Sequence, residues 1–197
     1  MLIRHSTTGF SLIECMISVV LFMLLALIAM PSFSVAIQNG QIRSAAQSIV
    51  SGLQLARAEA IRLNAFVQFS LPNQIAGETV EGGTDWLIHA DDQKAAGTPA
   101  YTVEIGRRSG LEGSPLARIG TKTAQDFTLP TAIGAGLPGT ITFNSLGRTD
   151  STTISQIDIV HANNAKARRL SIAISTGGQI RLCDPALALS SNPQGCQ

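Results

Sequence analysis

Gly9-Phe10-Ser11-Leu12-Ile13-Glu14 opens an apolar run that continues to Met30 and meets a proline at Pro31. From Phe10 to Met30 the only charge is Glu14, and beyond Cys15 the run is mostly Val, Leu, Ile, Met and Ala. As a helix, residues 10–30 rise about 30 Å, the thickness of one bilayer core. A secretory signal explains the segment less well. Its positive region is only Arg4 and His5, the run is too long for a signal core, and no small-x-small cleavage site follows. The segment reads as a transmembrane helix with its short basic leader on the cytoplasmic side.

Glu14 stands inside that helix. An acid there costs on the order of 2.5–3.5 kcal/mol on insertion scales and is a functional candidate by default. Two readings stand side by side. In one, Glu14 lies in the headgroup region and has no special task. In the other it pairs with a cation. A new amino group at Phe10, exposed by cleavage after Gly9, would serve, on its own chain or on a neighbour.

Hydrophobic residues make up 45% of the 197 residues and charged residues 14%, against roughly 25% charged in an ordinary soluble domain. The apolar run accounts for the deficit, and the remainder is long enough to bury a core. The formal net charge is +1, and loss of residues 1–9 takes away Arg4 and balances the chain. No global charge calls for a nucleic-acid or anionic partner, so such a function would need a local patch. Cys15 belongs to the apolar run as a small hydrophobe. Cys183 and Cys196 lie near the C-terminus, and with that end outside the cytoplasm a disulfide is expected between them. No second Cys or His pair accompanies them, so the spacing is not that of a zinc site.

After Pro31 the pattern stays helical. Ile42, Ala46, Ile49, Leu53, Ala56 and Ala60 form a narrow apolar stripe. Pro31 is expected to kink the helix or open a turn, and Gly40 and Gly52 weaken it further. At Asn64 the period changes. Strands are expected at 65–71, 86–89, 101–105, 139–143, 154–160, 170–174 and 179–182, with long loops at 72–85, 91–100 and 106–138. The fold class is α+β: a long N-terminal helix, membrane-spanning in its first half, packed on a β-rich head of two antiparallel sheets. The expected divisions are a cleaved leader at 1–9, a membrane helix at 10–31, an amphipathic helix at 32–63 and the head at 64–197.

Gly9-Phe10-Ser11-Leu12-Ile13-Glu14 and the apolar helix after it resemble the type IV prepilin cleavage and methylation motif. The resemblance implies a prepilin peptidase that cuts after Gly9, N-methylation of Phe10, and assembly of the helix into a filament with Glu14 setting register. The head resembles the FimT/FimU minor pilins and the GspH pseudopilins. The resemblance is carried by 53–61 with Asn64, by Trp86-Leu87-Ile88 with Asp91, by Ile141-Thr142-Phe143-Asn144 with Gly147-Arg148, and by 170–183 with Gly178 and Arg181. Implied partners are the peptidase, other major and minor pilins, and inner-membrane lipid. The implied location is the inner membrane with a periplasmic head, and then a pilus or pseudopilus.

Enzymatic chemistry finds little support. Gly134-Ala135-Gly136-Leu137-Pro138-Gly139 matches a bare dinucleotide-binding spacing, but Pro138 sits inside it and a strand, not a helix, follows. His89 and His161 are far apart in sequence and lack an acid–nucleophile pattern. His89-Ala90-Asp91-Asp92 reads as a strand end and polar turn. No enzyme activity, metal or cofactor is expected. Arg107-Arg108, and Lys166, Arg168 and Arg169 with Arg181, are basic clusters that read as solvated edges or as a phosphate-binding patch. Some FimT-like pilins bind DNA through a C-terminal Gly-Arg-x-Arg segment. Here it is Gly178-Gln179-Ile180-Arg181, with one arginine missing. The function expected is a minor pilin of a type IV pilus. The alternatives are a DNA-binding minor pilin and a pseudopilin of a type II secretion system.

Overall fold

The computed structural model describes residues 9–72, 74–75, 78–79, 83–91, 100–128, 139–149, 154–164 and 167–196, with backbone alone at 28–32, 74–75 and 78–79. Leader residues 1–8, Asp92, residues 134–138 of the glycine-rich loop and Lys166 lie outside the described residues. The described order is α1 (Leu12–Leu63), β1 (Val67–Ser70), β2 (Gln74–Ile75), β3 (Glu78–Thr79), β4 (Trp86–Asp91), β5 (Tyr101–Arg108), β6 (Ala117–Lys122), β7 (Thr140–Phe143), β8 (Gln156–His161), β9 (Leu170–Ile174) and β10 (Ile180–Cys183). The chain divides into two units, Met1–Ile37 and Gln38–Gln197.

The first unit is the opening half of α1. Its large apolar side chains are exposed, Phe22 at 74% and Leu25 at 67%. Among the described residues no helix is long and apolar enough to cross a membrane. α1 continues through Pro31, where a kink or an opened turn was expected, so the helix survives the one amide that proline withholds.

The second unit is built on the stripe. Ile42, Ala46, Ile49, Leu53, Ala56 and Ala60 are all buried in one core cluster with both sheets. The first sheet has the order β5-β4-β1-β7 and the second β10-β9-β8-β6, with β2 and β3 forming a small hairpin. All pairings between these strands are antiparallel. β1 and β4 alternate as half-buried strands should, with Val67, Phe69, Trp86, Ile88 and Ala90 inward. Gly52 lets this layer approach the helix, because a Cβ there would lie 2.8 Å from Phe69 and 3.1 Å from Trp86. The Trp86 indole N–H donates to Ser48 Oγ at 2.9 Å, which satisfies the ring's one polar atom.

Two expected loops contain structure. Residues 72–85 hold the β2–β3 hairpin, and 106–138 hold the end of β5 and all of β6. β6 carries one large apolar residue, Ile119, so its sequence shows no alternation. Its place is set by pairing with β8 from Ala117↔His161 to Lys122↔Gln156.

Candidate functional site

α1 begins with a reciprocal cap. Glu14 N–H donates to Ser11 Oγ at 3.3 Å, and Ser11 N–H donates to Glu14 Oε2 at 2.9 Å. This is the capping box Ser-x-x-Glu, which satisfies two of the free amides at a helix start. It also places the acid at the positive end of the helix dipole. The Glu14 carboxylate is therefore held on the amide next to Phe10. A side chain added at Gly9 would meet nothing within 4 Å.

The basic candidates do not gather into one open face. Arg168 Nε meets the buried Asp184 at 2.6 Å. Arg169 reaches Asp158, which is wholly buried, at 3.4 Å, and donates to the carbonyls of Phe127 and, at 2.7 Å, Thr128. Asp158 also accepts from Gln156 Nε2 at 2.7 Å and from Ser171 Oγ. This polar network lies between the second sheet and the 122–128 segment. Gln125 Nε2 ties that segment to the carbonyls of Ser155 and Ile174, and Phe127 N–H donates to Gln156. Lys122 holds Asp126 at 2.6 Å. That contact, with the Thr128 amide, keeps the Asp126 carboxyl below its ordinary pKa. Arg107 and Arg108 are exposed on β5, and Arg107 lies 3.6 Å from Glu104.

Cys183 and Cys196 are joined in a disulfide, with Cα atoms 5.1 Å apart. Asp184 N–H donates to the Gln194 carbonyl at 2.7 Å. Arg181 donates to the carbonyls of Gly195 at 3.2 Å and Cys196 at 2.8 Å. The guanidinium of Arg181 thus clamps the end of the tail.

His161 is buried, its Nδ1 accepts from Asn163 N–H, and its Nε2 has no partner. Asp91, beside His89, accepts from Ala100 N–H at 2.8 Å. Among the described residues no group of three His, Cys, Asp or Glu side chains is placed to hold a metal. Sequence reading missed the capping box, although Ser11-x-x-Glu14 is its plain signal. It also missed the Asp158 network, which joins residues far apart in the chain and leaves no local signal.

Residues 45–178 match the family described as type II transport protein GspH. Residues 4–30 match the prokaryotic N-terminal methylation motif. The fold is similar to the crystal structure of the type IV minor pilin FimU of Pseudomonas aeruginosa, at 18% identity and a TM-score of 0.51, covering 79% of this chain and 95% of that one. The minor pseudopilin EpsH from the Type 2 Secretion System of Vibrio cholerae is similar at 12% identity and a TM-score of 0.47, covering 75% of this chain and 99% of that one. No curated protein sequence matches the chain.

Proposed function

The chain belongs to the GspH family, whose members are structural subunits and not enzymes, and on that premise we propose that it is a minor pilin of a type IV pilus. The observation that carries the reading is the first unit. It is a capped helix whose large apolar side chains are left exposed, and the methylation-motif match at 4–30 runs into it. Exposed apolar surface on this scale needs another apolar phase, and lipid and then neighbouring pilin helices supply it. In this reading residues 1–9 are the leader, and a prepilin peptidase cuts after Gly9. Phe10 becomes the N-methylated amino terminus. Residues 10–31 anchor the subunit in the inner membrane and later pack into the filament. Residues 32–63 carry the helix into the periplasmic head, 64–197. Glu14 faces the new amino group and fixes register among major and minor pilins.

The same features suit a pseudopilus of a type II secretion system. The two are separated by finding the subunit in sheared pili or, instead, by a secretion defect when it is deleted. DNA binding is the weaker reading, because Arg168, Arg169 and Arg181 are engaged within the fold.

Processing is tested at Gly9. A side chain there is sterically free in this chain, so a requirement for glycine would belong to the peptidase. Gly9→Leu is expected to accumulate in the membrane as uncut precursor. A mature chain starting at Phe10, found by mass spectrometry of that variant, would defeat the processing reading.

A further inference from the structure

The second sheet ends in β10, and its hydrogen bonds show which groups face outward. Ser175 N–H donates to the Gln179 carbonyl at 3.0 Å beside the β9–β10 turn. In an antiparallel pair such bonded pairs alternate with open ones, so Ala173↔Arg181 and Ser171↔Cys183 are the bonded pairs of β9 and β10. Ile180 and Leu182 therefore turn their N–H and C=O groups away from β9. The same alternation sends Ile174 N–H off the far side of β9, to the Ser155 carbonyl at 2.8 Å. Asp184 is next in the outward series. Its N–H donates to the tail carbonyl of Gln194 at 2.7 Å, in a parallel bridge of Asp184 with Gly195. In that register Pro193 stands opposite Leu182 and has no N–H to give. Among the described residues Ile180 and Leu182 have no backbone partner on the outer side.

Exposed edges usually carry guards. The β5 edge has two register shifts against β4 and exposes Glu104, Arg107 and Arg108. β10 keeps an unbroken register, and its one charge, Arg181, is turned onto the tail carbonyls. A groove of about 410 Å³ opens beside Leu182 within the second unit, with α1 on its other side and the buried Ile42 and Leu170 as its floor.

We propose that an extended segment of a neighbouring pilin subunit lies in this groove and joins the second sheet as a strand beside β10, bonding the outward groups of Ile180 and Leu182. The inference rests on the filament reading above. An extended chain presents an N–H and a C=O on one side at every second residue, about 6.6 Å apart, which is the repeat from Ile180 to Leu182. A lipid or a single anion offers no such ladder. The tail already seats a chain on this edge at Asp184, and the incoming strand continues along the two rungs the tail leaves open. Side chains of a strand alternate, so one residue of the segment turns onto Ile42 and Leu170 and is apolar.

The test uses the full-length chain in living cells, with a photo-crosslinker at Gln47, which lines the groove. The captured peptide, mapped by mass spectrometry, is expected to belong to another pilin subunit. Leu182→Pro removes one outward N–H and leaves the bonds to β9 in place. It should cut that capture about tenfold, the scale of one lost backbone bond, with the Cys183–Cys196 disulfide still formed. Leu182→Ala keeps the N–H and should lose far less. Unchanged capture in Leu182→Pro would overturn the proposal, and so would capture of lipid or of a second copy of this chain. If Leu182→Pro fails to form the disulfide, hydrogen exchange of the wild-type chain decides. The Ile180 and Leu182 amides should exchange fast in the detergent-solubilised subunit and slowly in sheared filaments, with Arg181 and Cys183 slow in both. Fast exchange at Ile180 and Leu182 in filaments that contain the subunit sinks this inference alone, whereas absence of the subunit from filaments sinks the filament reading as well.

Discussion

Ser11 and Glu14 share two hydrogen bonds that fix where α1 begins and where its one early acid points. The cap and the charge are separable. Glutamine at the third helical position still completes a capping box, and alanine does not. Glu14→Gln is therefore expected to keep the first turn intact, while Glu14→Ala frays it, as read from hydrogen exchange at the Ser11 amide. If the charge sets register, both variants drop out of sheared filaments at normal expression. Normal incorporation of Glu14→Gln would show that the cap alone matters. Arg168 and Arg169 look alike in sequence and differ in energy. Arg168 is half exposed, so solvent screens its pair with Asp184, and Asp184 keeps a second partner in the Ala186 amide. Arg169 faces a carboxylate with no exposure, and removing one partner of a buried pair costs roughly 3–5 kcal/mol. Arg169→Ala should thus lower the denaturation midpoint well below that of Arg168→Ala. A DNA-binding loss seen in Arg169→Ala alone would report folding, not contact.

At the scale of elements, the C-terminal end of α1 is set by backbone accounting. α1 stops because Asn64 takes a left-handed φ of 50°. Ala65 N–H then reaches the Ala60 carbonyl at 3.2 Å and Asn64 N–H the Ile61 carbonyl at 3.3 Å. That is the Schellman pattern, in which asparagine stands in for glycine. The 122–128 segment is the other element with a readable device. Asp126 accepts from Lys122 and from Thr128 N–H at 3.0 Å. Its carboxyl is held below the ordinary aspartate range, chiefly by Lys122. A depressed pKa contributes stability above the unfolded value and loses it as pH falls through the folded one. Protection of the Thr128 amide should therefore persist at neutral pH and fade as pH drops below the normal aspartate range. Flat protection through that window would exclude Asp126 as the hold on this segment.

For the whole molecule, the tail is the part that depends most on a covalent bond. Between Cys183 and Cys196 the chain holds two prolines and a glycine, and it forms no strand or helix of its own. What orders it is the disulfide, the Arg181 clamp and the bond from Asp184 to Gln194. Closing a loop of this length stabilises by about 3 kcal/mol in the chain-entropy model. Reduction should lower Tm by roughly 6–12 °C, given about 2–4 °C per kcal/mol for a domain of this size. An unchanged Tm after verified reduction would show that the clamp holds the tail unaided.

What the sequence determined by itself was whatever depends on neighbours in the chain. The apolar run, the stripe from Ile42 to Ala60 and strands such as β4 and β9 are periodic over a few residues, and periodicity is a local property. Even the capping box was present in Ser11 and Glu14 to be read. The tertiary structure alone decided the rest. β6 has too few apolar residues to announce itself and exists because β8 offers it a ladder. Gly52 looks like a weak point in a helix until Phe69 and Trp86 are seen pressed against it. The clustered arginines carry the same charge on paper. Asp158, Asp184 and the tail carbonyls, brought in from elsewhere in the chain, use that charge inside the fold. Long-range pairing selects among side chains that are equivalent in local pattern, because burial and a partner's position change the worth of a charge far more than its place in the sequence does.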